Sequence, residues 1–356
     1  MRRHRQKHRK TALLAIGDIS DYDSFLKLDK NRKYIRKLGL EYLSVSYDQI
    51  LKGKALDIGS DAVIIFPFFP FKYWNRNIER RGYKGLYGNI SFREKFAGFC
   101  REVERKISGL TRGRSCFYIN DMKKCAYYRD KRTVMSRLKR SGVSVPDNTR
   151  TSDPGKILRM IEKGGKFFIK PRCGSMGKGI TYMEKDNWRT NFRFRAGKLG
   201  NIYSDYGWKF RDVTGKRAFV DGIAEGDFVI EQAVDPFLRG RNKVDFRVYV
   251  FNGEVLFIYP RMNSFDNVTT NISQGGRGCP GFVEKIPAGA LRKIKGQALK
   301  AAKSLGLGFC GIDVLMDSDM RRAYVIDVNM FPGFPKRRTF NLARSIVDRL
   351  NRIDAA

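Results

Sequence analysis

Apolar positions come first in short runs: ALLAIG near the start, EYLSVSY from Glu41, and DAVIIFP between Gly59 and Pro67. Runs of this length predict buried strands. The stretch from Tyr34 to Leu40 is amphipathic, and strands alternating with helical patterns predict a small α/β unit around a parallel sheet. Over residues 91–109 the period changes to three-to-four. Phe92, Phe96, Phe99 and Val103 then share one face, which is the pattern of a helix packing an aromatic stripe into a core.

A second unit is expected from Cys116. CFYIND reads as strand and turn, and KRTVMSRLKRSG as a helix ended by Gly142. KFFIKP is a short strand, because Pro171 does not continue a helix. Residues 186–222 are polar, glycine-rich and nearly aperiodic, so a loop-rich insertion is expected there. From Asp227 the pattern is strand-rich: DFVIEQAV, then DFRVYVFNGEVLFIY, in which Asn252-Gly253 is a strong signal for a two-residue hairpin. Residues 288–305 carry Leu291, Ile294, Ala298 and Ala301 on one helical face. FCGIDVLMD and AYVIDVNM follow as strands joined by a polar turn at Ser318-Asp319, and FNLARSIVDRL closes the chain as a helix.

Composition narrows the chemistry. The 356 residues suffice for two or three cores, with 42% hydrophobic residues. Six cysteines occur with no CxxC pair, and the two histidines, His4 and His8, sit in a basic arm over residues 1–10. Zinc ribbons, disulfide frameworks, histidine metal sites and Ser-His-Asp triads are thereby excluded, and reduced thiols in a cytoplasmic protein are expected. The apolar run Ala12 to Ile16 is too short for a signal peptide, and DAVIIFPFFPF is too short to span a bilayer, so no transmembrane segment is expected. The 71 Lys and Arg against 36 Asp and Glu give a net charge of +35, which attracts polyanions: nucleic acid, an anionic membrane face or an acidic polymer.

Three constellations carry candidate chemistry. Gly174-Ser175-Met176-Gly177-Lys178-Gly179 lets backbone N–H groups approach phosphate oxygens. It is neither a Walker loop nor a dinucleotide fingerprint, and Lys170 at the end of the preceding strand can reach the same phosphates. Asp327 and Asn329, two apart on one strand, project together, and Asp313 on a neighbouring strand can join them as hard oxygen ligands for Mg²⁺. Arg247 and Arg261 flank the hairpin, where guanidinium groups stabilise phosphoryl charge and oxyanions.

In order, RDKRTVMSRLKRSGVSVP, FFIKPRCGSMGKGI, VIEQAV, DFRVYV, NISQGG, GIDV and VIDVNMFPGFP resemble the ATP-grasp superfamily over residues 116–345. The branch is similar to glutathione synthetase and ribosomal-protein glutamate ligases, and most resembles the YheC/YheD-type group. The resemblance implies an ATP-grasp fold with α+β lobes, ATP held between two of them, behind a Rossmann-like N-terminal domain. The expected division is a basic tail 1–10, an N-terminal α/β domain 11–115, a central lobe 116–226 and a C-terminal lobe 227–356. It implies that Lys131 and Lys170 bind phosphate and that Gly174 to Gly179 closes over it. Glu231, Gln232 and Val234 then hold the adenine edge, with Asp235 towards the ribose. Asp313, Asp327 and Asn329 become Mg²⁺ ligands, and Arg247, Arg261 and Asn271 the catalytic-centre positions. The family usually carries Glu where Asp327 stands, which leaves the ion count at one or two, with Mn²⁺ as a substitute.

The activity so implied is phosphoryl transfer from ATP to a carboxylate, followed by attack of an amine on the acyl phosphate. Binding ATP needs few cations, so the excess charge points to an acidic peptide, an acidic polymer or a nucleic-acid-linked acceptor. The competing expectation is a basic, nucleic-acid- or coat-associated binding protein that retains an ATP-binding shell, with Tyr203, Tyr206 and Trp208 stacking on bases.

Overall fold

A computed structural model describes residues 10–80, 82–202, 204, 209–350 and 352–353. His4, His8, the first nine residues of the basic arm, and Tyr203, Tyr206 and Trp208 lie outside the described residues.

Among the described residues three large sheets and one separate two-stranded ribbon organise the chain. The first is four-stranded and parallel, in the order β2-β1-β3-β4, with β1 Thr11–Ile16, β2 Glu41–Val45, β3 Ala62–Pro67 and β4 Ser115–Tyr118. Its central strands are apolar without alternation because both faces are covered. Leu14, Ile16, Val63 and Ile65 meet the aromatic stripe of the helix Ile90–Leu110. Leu13, Ala15, Ile64 and Phe66 meet Leu342, Ile346 and Val347 of the closing helix Leu342–Leu350.

The second sheet is antiparallel. It contains β5 Asn148–Thr149, β6 Phe167–Pro171, β7 Thr181–Glu184 and β8 Asn187–Thr190. A ribbon of β9 Arg193–Arg195 and β10 Lys198–Gly200 follows, and the sheet is completed by β11 Arg211–Asp212 and β12 Phe228–Gln232, in the order β11-β8-β7-β6-β12-β5. The described residues of 186–222, expected to be irregular, thus hold four short strands and the start of the helix Arg217–Ala224. Their core contacts, Trp188, Phe192, Val213 and Phe219, are spread too unevenly to show a period.

The third sheet is also antiparallel: β13 Leu238–Arg239, β14 Asn242–Phe251, β15 Glu254–Ser264, β16 Arg277–Gly278, β17 Phe309–Met316 and β18 Ala323–Asn329. Its order is β16-β15-β14-β17-β18, with β13 pairing β14. The hairpin β14–β15 turns on Asn252 and Gly253, both at positive φ (44° and 79°), as a primed turn demands. One face packs Val244, Phe246, Val248, Ile312 and Val314 against the helices Ala288–Leu305 and Lys131–Arg140.

Strand pairing runs across two of the three boundaries expected from sequence, those after residues 115 and 226. β4 begins at residue 115 and runs past the boundary yet pairs with β3, and β12 lies beyond residue 226 yet pairs with β6. In each case an apolar run satisfies its backbone on the edge it reaches, irrespective of its neighbours in sequence.

Candidate functional site

The polar face of the third sheet is built by register. Arg247 on β14 lies directly across from Asp313 on β17, which lies across from Asp327 on β18. One step along, Asp245 on β14 lies across from Arg261 on β15, and Gly311 across from Asn329. Residues two apart share a face, so these side chains form one charged patch opposite the apolar core.

Like charges placed opposite each other are unfavourable, and cations offset them here. Arg247 grips Asp313 through two hydrogen bonds of 2.7 and 2.8 Å. Arg261 donates to Asp245 at 2.8 Å and lies 3.1 Å from Asp313. Asp245, Arg261 and Asp313 are all buried. Burial alone would raise the Asp313 pKa, but the charges of Arg247 and Arg261 outweigh it and bring it to about 2. The same attraction raises Arg247 and Arg261 against their own burial. Asp313 is therefore a fixed anion at neutral pH.

The second sheet supplies the facing wall. Asp130 caps the helix Lys131–Arg140 through the Arg132 N–H and is held by two hydrogen bonds from Arg172, at 2.9 and 2.7 Å. The Lys131 N–H donates to the Arg172 carbonyl at 2.9 Å. These bonds tie the helix start to the end of β6 and place the Lys131 ammonium 2.8 Å from Asp327. Burial opposes the Lys131 charge, but Asp327 more than restores it and raises the pKa. Lys170 on β6 pairs with buried Glu231 on β12 and reaches the Ile326 carbonyl at 3.3 Å. The second carboxylate oxygen of Glu231, Oε1, is buried without a hydrogen-bond partner.

Between the two sheets lies a cavity of about 570 Å³. Phe168, Ile180, Tyr182, Leu315 and Ile326 form its apolar walls, and Glu231, Gln232, Val234 and Asp235 one edge. Asp235 is exposed and pairs with Lys166 at 3.1 Å. Lys243, which also lines the cavity, forms no ion pair among the described residues, and burial pushes its pKa down to about 8.

The glycine loop roofs the far end. Gly177 sits at φ +77°, and a Cβ there would meet the side-chain amides of Gln274 and Asn271. Its carbonyl accepts from Gln274 at 3.0 Å and from Asn191 at 2.7 Å, and the Met176 carbonyl accepts from Ser273 at 3.4 Å. From the first sheet's side, Tyr87 bonds both the N–H and the carbonyl of Ser175, and Glu79 pairs with buried Lys178. Lys178 is thus turned onto Glu79, a partner about a hundred residues earlier that sequence spacing does not reveal. Gly179 packs against Phe192 and Pro171.

Beneath the loop a second cavity, of about 750 Å³, opens towards the first sheet. Lys131, Gly174, Ser175, Gly177, Arg261, Asn271, Asp313 and Asp327 line both cavities. The residues singled out from the motifs therefore converge at one junction, with Lys170 and the Glu231–Asp235 segment on the first-cavity side and Arg247 and Asn329 on the second. Sequence reasoning missed Asp245, Lys166, Tyr182, Glu79 and Arg129. Asp245 carried a usable signal, two residues before Arg247 on the same strand face; the others acquire roles only by packing.

The donor set suits a hard cation. Asp313 and Asp327 supply carboxylates, and Asn329 donates its Nδ2 to the Gly311 carbonyl at 3.4 Å, leaving Oδ1 as the free acceptor. Among the described residues no helix is long and apolar enough to cross a membrane, and all six cysteines are free thiols.

Comparison with known proteins bears on the family and the fold. A probable alpha-L-glutamate ligase of Psychromonas ingrahamii is 26% identical over 61% of this chain and 60% of its own. The tetrahydromethanopterin:alpha-L-glutamate ligase of Methanocaldococcus jannaschii is 25% identical over 58% of this chain and 60% of its own. The chain thus spans about 60% of the length of these curated relatives. Among solved structures, a RiPP-associated ATP-grasp ligase of Chryseobacterium gregarium, in complex with ADP and a leader and core peptide, superposes with a TM-score of 0.59 at 13% identity. That match covers 96% of this chain and 97% of the other. D-cycloserine synthetase superposes at 0.54 and 15% identity, over 95% and 99% of the two chains. These structural likenesses bear on the fold. The family model for YheC/D-like ATP-grasp proteins matches residues 123–352, well over half of the sequence, and the chain belongs to that family.

Proposed function

We propose that the protein is an ATP-dependent carboxylate–amine ligase that forms an amide bond through an acyl phosphate. The observation that carries this reading is the junction of two cavities at one charged patch, roofed by a glycine loop. The first cavity, with apolar walls and a polar edge, suits adenine, and Lys131, Lys170 and the loop suit its phosphates. The unpartnered Glu231 Oε1 is an acceptor for an exocyclic amine. Asp313, Asp327 and Asn329 are the residues that would hold Mg²⁺, which when bound neutralises phosphate charge. We read the three sheets as three units, with nucleotide between the second and third.

In this reading a substrate carboxylate enters from the second cavity and attacks the γ-phosphorus, and ADP leaves. An amine then attacks the acyl carbon, its proton is lost and inorganic phosphate departs. Arg247 and Arg261, oriented by Asp313 and Asp245, face the carbon where oxyanion charge develops. The loop, pinned by Tyr87 and Gln274, keeps water from the acyl phosphate. The relatives' names, glutamate ligases and a ligase in complex with peptide, favour a carboxylate on a peptide or acidic small molecule over nucleic acid as the acceptor. Free thiols fit a cytoplasmic setting. ADP release with Mg·ATP, screened over paired acids and amines, tests the proposal. ADP that appears only when both are present supports it; tight ATP binding with no turnover on any pair supports the competing binding-protein reading.

A further inference from the structure

Arg129 stands immediately before the Asp130 cap and belongs to the second cavity alone. Its guanidinium lies 4.2 Å from the centre of the Trp74 ring and 5.5 Å from that of Phe69. One Nη donates to the Ser175 hydroxyl at 3.0 Å, and its Nε is buried with no hydrogen-bond partner. No carboxylate among the described residues forms an ion pair with it. Arginine has five N–H donors in a planar fork; Arg129 is half-buried, and leaving its buried Nε–H unpaired is costly.

The rest of the cavity shows the same imbalance. Its acids are all spoken for: Glu79 by Lys178 and the Trp74 Nε1–H, Asp313 by Arg247 and Arg261, and Asp327 by Lys131. At its rim Arg277, Lys336 and Arg338 are exposed, with no ion pair among the described residues. The wall beside Arg129 is aromatic, which excludes water and strengthens any charge-assisted bond formed there.

We infer that the second cavity takes an acidic peptide bearing a carboxylate besides the one that reacts, and that Arg129 is the specificity residue that binds it. This rests on the ligase reading for the placement of nucleotide, but it makes a separate claim. Stacking on the Trp74 face, with Phe69 packed beside that ring, holds the plane of the fork, so a carboxylate meets it edge-on through two parallel bonds, as an ammonium does not allow. Arg277, Lys336 and Arg338 then attract further acidic residues without fixing their geometry.

The test measures binding of tri-L-glutamate and tri-L-glutamine to the full chain saturated with Mg·AMP-PNP, by calorimetry. Tri-glutamate is expected to bind at least tenfold more tightly than tri-glutamine. Arg129→Met is expected to reduce that preference below threefold, and Arg129→Lys to leave it intermediate, with AMP-PNP affinity within twofold of the native value in both. Absence of the preference in the native chain overturns the inference, as does its retention in Arg129→Met. A parallel loss of AMP-PNP affinity also overturns it, because it assigns Arg129 to phosphate. If Arg129→Met fails to fold, full preference in Arg129→Lys overturns the inference equally. Failure of the native chain to bind AMP-PNP would instead sink the ligase reading itself.

Discussion

Replacing Asp313 by Asn removes one charge from a quartet in which half-buried Arg247 and buried Arg261 balance buried Asp245 and Asp313. Size and shape are nearly conserved, so the effect is electrostatic. The Asp313 pKa lies at about 2 against an ordinary 3.8. At about 1.4 kcal/mol per unit, that difference is about 2 kcal/mol of folding free energy. Leaving a buried cation without its partner costs about 3–5 kcal/mol when nothing relaxes. Asp245 still holds Arg261, so we expect about 2–4 kcal/mol for Asp313→Asn at pH 7. The sign follows from linkage. A carboxylate whose folded pKa is depressed contributes its full stability above the unfolded value of 3.8, and loses it as pH falls through 3.8 towards 2. Urea unfolding of both proteins, followed by circular dichroism from pH 7 down to pH 2.5, measures the gap. It should be widest at pH 7 and shrink below pH 4. A gap under about 1 kcal/mol at pH 7, or one constant across the range, would refute the reasoning that Asp313 is a charged, paired group.

Three further outcomes are expected. Asp327→Ala removes a proposed metal ligand and the partner of Lys131, so ADP production should cease with the far-ultraviolet spectrum retained and the urea midpoint lowered; full turnover would sink the metal assignment. Gly177→Ala forces a Cβ onto Gln274 and Asn271 at a left-handed φ of +77°, at a strain of about 1–3 kcal/mol. Its rate of ADP release should fall about tenfold, and an unchanged rate would show that the loop's closed position is irrelevant to turnover. Lys243, pushed down to about 8 by burial, binds fewer protons folded than unfolded between pH 8 and 10.5, so native stability gains with pH across that window. Lys243→Met should be more stable than the native protein at pH 7 by about 1–2 kcal/mol, after allowing for solvent screening, with the advantage fading by pH 10 on thermal melts.

The sequence by itself determined the elements whose signal is local. The helix over 288–305, the hairpin at Asn252-Gly253, the strand KFFIKP and the paired strands GIDV and VIDVN all follow from period, turn chemistry and β-branched content. The ordered motifs also named most residues that meet at the junction, because strand alternation already places Asp327 with Asn329. Tertiary structure alone decided which edge each strand joins, so β4 and β12 moved across the expected boundaries, and residues 186–222 gained strands that their composition concealed. It alone turned Lys178 onto Glu79 and laid Arg129 on the face of Trp74 beside Phe69. The physical reason is range. Backbone preference and face are set by residues within a few positions, whereas the partner of a buried charge is set by whichever distant segment packing brings within about 4 Å, where the low-dielectric interior makes that choice energetically decisive.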